Sequence, residues 1–261
     1  MSVRAAQGKE AARMTPDPIK LLIVPGIDGS GARHWQTEWE RGLEECYRVE
    51  LGCWDDPIRN VWISRLDQAV HKAGGDVVLV AHSLGCQAVA WWARLLGASA
   101  IPSVRAALLV APPDVDLQDV DRRLDRFAPN PDVAFPFPAL VVASRDDPYA
   151  TIGRSREIAD QWGAAFLDAG DLGHINADSD IADWEEGQAL LPLLIGGTRD
   201  RDQLSRLAAD LLAKHRRGSK RIPFHAAREQ DRARVQLPPA SLFFDDGVAR
   251  GVQSFGIDAG D

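Results

Sequence analysis

The chain has 261 residues, a net charge of −8 and no apolar stretch long enough to span a bilayer. That length holds one substantial core, and the acidic balance argues against a nucleic-acid binder, which needs a basic face. Cys46, Cys53 and Cys86 are odd in number and lack metal-site spacing, so they predict free thiols in a reducing compartment and no metal centre.

Met1 to Pro18 is polar and patternless, which predicts a flexible lead-in. It lacks the apolar core of a signal peptide, so a cytoplasmic location is expected. Ile19 to Val24 is an apolar run, the first buried strand, and it stops at Pro25-Gly26. A glycine-rich loop, Ile27-Asp28-Gly29-Ser30-Gly31, follows. His34 to Leu43 carries Trp35, Trp39 and Leu43 at helical spacing. Tyr47 to Leu51 reads as a second, weaker strand. Ile58 to Ala73 repeats Trp62, Leu66 and Val70 at a four-residue step, a helix closed by Gly74-Gly75. Asp76 to Ala81 is a third strand, and a helix runs from Gln87 to Leu96. Val104 to Val110 and Ala139 to Ser144 are further strands, separated by a charged segment, Asp114 to Phe127, and by Phe135-Pro136-Phe137-Pro138. Thr151 to Trp162 is helical in pattern. Ala165 to Asp168 is a last strand, and Ile181 to Ile195 an amphipathic helix.

Strands that read as continuous apolar runs and alternate with helices predict an α/β fold, a six-stranded, mostly parallel, doubly wound sheet with helices on both faces. The expected strand order is 2-1-3-4-5-6. It puts the first and third strands side by side at the switch point where such sheets bind ligands. The loops after those two strands are Pro25 to Gly31 and Ala81-His82-Ser83-Leu84-Gly85. The second is a strand, a sharp turn with serine at its tip, and a helix, the setting of a nucleophile elbow. Ala81 stands where the usual signature has glycine, and it is small enough for strand and helix to meet.

A serine nucleophile needs a base, and the base needs a carboxylate to fix its tautomer. Downstream, one strand runs into Ser144-Arg145-Asp146-Asp147-Pro148 and the next into a loop holding His174. Serine, aspartate and histidine in that order, each at a strand end, predict a Ser83–His174–Asp147 triad. Asp147 is preferred to Asp146 because Pro148 biases it toward an extended backbone. The role left for Asp146 is a solvated loop charge. His34, His71 and His215 compete with His174 and lose on position. For the oxyanion hole the candidates are the N–H groups of Leu84 and Ile27, with Asp28 as runner-up to Ile27. Trp54, in a loop, and Asp28 are the candidates for a substrate pocket, although the Asp28 carboxylate would oppose an oxyanion and is expected to point outward. The other tryptophans read as packing.

After Gly197 the pattern changes. Gln203 to Leu212 reads as one more amphipathic helix, and Lys214 to Arg221 is a basic cluster that reads as solvated. Ile222 to Asp261 has no sustained period. It is either a flexible tail or a partner-binding arm anchored by Leu242-Phe243-Phe244. The domain reading is a lead-in over 1–18, a hydrolase-like domain over 19–197 and an extension over 198–261.

Val24-Pro25-Gly26, His34-Trp35-Gln36, Ala81-His82-Ser83-Leu84-Gly85-Cys86, Ser144-Arg145-Asp146-Asp147-Pro148-Tyr149 and Gly173-His174-Ile175-Asn176 resemble the YdeN / retinoblastoma-binding-protein-nine family of small serine hydrolases. The resemblance spans about Ile19 to Ile195. It implies a compact α/β-hydrolase with a minimal lid, no cofactor, and Ser83, Asp147 and His174 as the catalytic set. Asp180 departs from the glycine expected after Ser179, and the extension beyond Gly197 has no counterpart. The activity expected is hydrolysis of small carboxylic esters, a small-molecule substrate. The alternatives are acyl transfer, thioester or peptide cleavage with the same triad, or an interaction protein that uses the C-terminal arm.

Overall fold

The computed structural model describes residues 18–97, 103–117, 121–196 and 198–218. Its six strands are β1 (Lys20–Val24), β2 (Cys46–Arg48), β3 (Val77–His82), β4 (Val104–Val110), β5 (Ala139–Ala143) and β6 (Ala165–Asp168). They form one sheet in the order β2-β1-β3-β4-β5-β6, and every pairing is parallel. The expected order is therefore the one observed. All six residues of β3 are buried, as a strand with neighbours on both edges and helices on both faces requires.

Successive strand residues feed two cores, because side chains alternate across a sheet. Leu22, Val24, Leu79, Ala81 and Leu109 face α2 (Arg59–Ala73), α3 (Leu84–Leu96) and α4 (Ile152–Gln161). Leu21, Ile23, Val78, Val80 and Leu108 face α1 (Trp35–Gly42), α5 (Glu185–Ile195) and α6 (Arg201–Gly218). Trp35, Trp39, Trp62, Trp92 and Trp162 are fully buried, the packing role expected of most tryptophans here.

Three boundaries move for local reasons. β2 ends at Arg48 instead of Leu51, where the Arg48 side chain turns to the Gly29 and Ser30 carbonyls and to Thr37. α5 starts at Glu185 and not at Ile181, since Asp180, Ala182 and Trp184 all have positive φ. Asp180 thus adopts the left-handed backbone that the expected glycine would have taken, a conformation aspartate tolerates. The extra helix after residue 197 is α6, longer than Gln203 to Leu212. It buries Leu204, Ala208 and Leu212 in the second core, and Ser205 Oγ accepts the edge-strand N–H of Phe166 at 2.9 Å. It completes the sheet's flank and is no appendage. Met1 to Asp17, Lys220-Arg221 and Leu242-Phe243-Phe244 lie outside the described residues.

Candidate active site

β3 delivers Ser83 to a backbone of φ 53°, ψ −128°, a region that side chains rarely occupy and that costs of order 1–3 kcal/mol. The turn is held on both sides. Ser83 N–H donates to Val110 O at 2.9 Å, and Cys86 N–H donates to Ser83 O at 2.9 Å. Close approach dictates the glycines around it. A Cβ on Gly85 would stand 2.4 Å from Val24 O, and one on Gly26 would stand 2.8 Å from Ser83 Cβ. Ala81 is fully buried and pairs with Val24 and Leu109, so its methyl group is accommodated.

The three predicted side chains come together. His174 Nε2 is 2.8 Å from Ser83 Oγ. His174 Nδ1 is 2.9 Å from both Asp147 oxygens. The His174 and Asp147 side chains are only 9% and 3% exposed, which keeps their interaction away from bulk water. With Nδ1–H donating to the carboxylate, Nε2 is the nitrogen left to take a proton from Ser83. Asp147 Oδ1 also accepts the Tyr149 N–H at 2.9 Å, a turn across Pro148 that fixes the carboxylate.

Asp146 is exposed, as expected of a solvated loop charge, but it also ties two loops together. Its Oδ1 accepts from Ser144 Oγ and from Gly173 N–H, both at 2.7 Å, while Ser144 Oγ accepts the Leu172 N–H at 2.8 Å. The two residues before His174 are therefore tied to the end of β5. These bonds, that from Ser144 first, hold the Asp146 carboxyl below the usual range. On the far side of the loop, His82 Nε2–H donates to His174 O at 2.9 Å, and Trp35 Nε1–H donates to Ile175 O at 2.8 Å. Burial, helped by His34 and His174, keeps His82 neutral.

Ser83 opens on a cavity of about 230 Å³ that Ile27, Asp28, His34, Tyr149 and Asn176 also line. The N–H groups of Leu84 and Ile27 have no acceptor among the described residues, whereas Asp28 N–H donates to Trp54 O at 2.9 Å and is excluded as the second oxyanion donor. Asp28 lines the cavity, yet its carboxylate is largely exposed and pairs with Arg123 at 3.0 Å. Trp54 is not on the cavity wall. It packs against Trp62 at 5.7 Å and under Gly29, and so supports the loop that carries Ile27. The segment between β4 and β5 adds Asp121, Arg123 and Leu124 to the wall, a larger part than a minimal lid suggested.

Sequence reasoning quoted Tyr149 in a motif but gave it no site role, although its ring is 4.4 Å from that of His174, and it missed the contacts of His34 and His82. Tyr149 stood two residues after Asp147, a spacing that carries no periodic signal. Of the competing histidines, His71 is exposed on α2 and bonds within its own turn, and His215 faces Glu185 on α5. No cluster of three metal-ligating side chains occurs among the described residues, and the three cysteines are free thiols.

The serine hydrolase family profile matches residues 21–192. No curated protein matches the chain. Among solved structures, a YdeN-like hydrolase from Pectobacterium atrosepticum is 24% identical. The match covers 74% of this chain and 92% of that one with a TM-score of 0.57. The N-formylmaleamic acid deformylase of Pseudomonas putida is 13% identical over 66% of this chain and 93% of that one, with a TM-score of 0.50. The type II thioesterase BorB of the borrelidin biosynthetic cluster is 16% identical over 70% and 93%, also at 0.50. At these identities the structural likenesses establish a shared α/β-hydrolase fold, and the profile, which spans well over half the sequence, establishes the family. The chain belongs to the serine hydrolase family.

Proposed function

We propose that the protein hydrolyses small carboxylic esters through Ser83, His174 and Asp147. The observation that carries this reading is the continuous hydrogen-bond path from Ser83 Oγ through both nitrogens of His174 to the Asp147 carboxylate. His174 removes the Ser83 proton as Oγ attacks the carbonyl carbon. The Leu84 and Ile27 N–H groups face the charge that develops on the carbonyl oxygen. A donor of this kind is worth roughly 10²–10³ in rate. His174 then returns its proton to the leaving alcohol. Water, activated by the same ring, attacks the acyl-enzyme, and the acid leaves.

A cavity of about 230 Å³ favours compact acyl groups over long chains. The same geometry argues against a pure interaction protein on this scaffold, which has no use for a paired serine, histidine and aspartate. The test is labelling with a fluorophosphonate probe together with turnover of nitrophenyl esters of graded chain length. Labelling and turnover that vanish in Ser83→Ala, with short esters preferred, support the reading. A folded wild-type protein that takes no label, or label that persists in Ser83→Ala, refutes it.

A further inference from the structure

His34 caps α1 and is among the residues that line the same cavity as Ser83 and His174. Its Nδ1 accepts the Gln36 N–H at 3.1 Å. An imidazole nitrogen that accepts a hydrogen bond carries no proton, so in the neutral ring the proton sits on Nε2. A doubly protonated ring would lose the cap bond. It is also opposed by burial first, then by the Arg48 charge and by the neighbouring His174 ring, which together push the His34 pKa down to about 3. His34 is thus a neutral ring with one N–H donor, on the edge away from the helix cap.

That donor has no acceptor. His34 is 5% exposed, and its Nε2 is buried without a hydrogen-bond partner. Such a group is costly to bury and rare in native proteins. Among the described residues only Gln87 Oε1 is in the same position, and Gln87 is not on the cavity wall. The ring has little freedom to relieve the mismatch by turning. It lies edge-on to His82 at 4.6 Å and tilted against Trp35 at 5.4 Å, and a flip would break the cap bond. The surrounding wall is oxygen- and nitrogen-rich, with Ser30, Asn176 and the Asp28–Arg123 pair.

We propose that His34 is a substrate-binding residue: its Nε2–H holds an oxygen of the substrate other than the scissile carbonyl. Compact esters that carry an alkoxy, hydroxy or keto oxygen are then the preferred substrate class. This inference rests on the hydrolase reading above. A site built around a buried donor discriminates against an alkyl isostere because binding that isostere leaves the donor unpaired.

The experiment is pH-stat hydrolysis of two isosteric pairs, ethyl methoxyacetate with ethyl butyrate and 2-methoxyethyl acetate with butyl acetate. The first pair places the oxygen on the acyl side, the second on the alcohol side. Each oxygenated-to-alkyl ratio of kcat/KM is compared between wild type and His34→Ser, so intrinsic reactivity cancels. Serine keeps an oxygen that caps α1 and removes the imidazole. A ratio that falls about tenfold in one pair supports the proposal and tells which side of the ester His34 holds. Equal losses across all four esters, in protein still labelled at Ser83, overturn it. Should His34→Ser not fold, His34→Asn, which also retains a capping oxygen, decides by the same ratios. A wild-type protein that neither hydrolyses any of the four nor takes the fluorophosphonate label refutes the hydrolase reading, and this inference falls with it.

Discussion

His82 Nε2 lies 2.9 Å from the main-chain oxygen of His174, so the residue before the elbow serine holds the backbone of the histidine that faces that serine. A carbonyl oxygen only accepts, so His82 must donate, and its burial keeps it in the neutral form. The contact spans 92 positions of sequence. It makes the distance between the proposed nucleophile and its base depend on a side chain that touches neither reacting atom. His82→Phe is expected to lower kcat roughly 10- to 100-fold, the cost of a small misplacement at a reacting centre, with KM nearly unchanged. His82→Gln, which retains an N–H donor, should recover part of the loss. Equal kcat in wild type and His82→Phe would show that the contact does not position His174.

The two adjacent aspartates separate by what they hold. Asp147 contacts the His174 ring, whereas Asp146 contacts the backbone before it. Asp147→Asn should therefore cut kcat by about 10⁴-fold, since the amide cannot stabilise the charged imidazole or fix its tautomer. Asp146→Ala should produce a smaller loss, roughly 10- to 100-fold, together with a lower melting temperature, because Ser144 and Gly173 lose their acceptor. Steady-state kinetics and thermal melts of both variants check the split. A larger loss of kcat in Asp146→Ala than in Asp147→Asn would reverse the assignment.

Acid should destabilise this fold through its buried histidines. Burial lowers the pKa of His34 to about 3 and that of His82 well below its usual value. An unfolded histidine titrates near 6.5. Below that pH the unfolded chain binds protons that the folded chain excludes, so stability falls as pH drops from 6.5 toward 3. The loss is about 1 kcal/mol for each histidine between pH 6.5 and 5.5. Urea unfolding at these two pH values measures it, and His82→Phe should remove its own share of the slope.

The position of a truncation should matter sharply. Ending the chain after Ser219 keeps α6, whereas ending it after Gly197 strips Leu204, Ala208 and Leu212 from the second core. It also removes Arg216, whose Nη2 donates to Ala169 O at 2.6 Å in the loop that leads to His174. The shorter product is expected to be insoluble or to melt far lower. Leu204→Ala alone should cost about 2–5 kcal/mol. Expression and melting of both truncations decide the matter. A stable, active chain ending at Gly197 would show that α6 is dispensable.

Much of the architecture was readable in residue patterns. Six apolar runs separated by helical periods were enough to predict the strand order, since parallel strands and right-handed crossovers leave few alternatives. Ser83, Asp147 and His174 could be proposed because each lies in the loop after a strand, where a parallel sheet gathers its loops. Trp54 was misplaced for the converse reason. Its loop position gave no indication that the ring would turn beneath Gly29 toward Trp62.

By itself the sequence determined the order of the strands, the elbow and the three side chains that meet there, because apolar period and strand-end position are local properties of the chain. Only the tertiary structure decided how those side chains are held. Asp146 reaches Gly173, His82 reaches His174, and Arg216 reaches Ala169 across 27, 92 and 47 positions of sequence. It likewise decided that His34 keeps a buried donor without an acceptor. Hydrogen bonds over such separations leave no periodic trace in the sequence, since they depend on which loops the folded sheet brings into register.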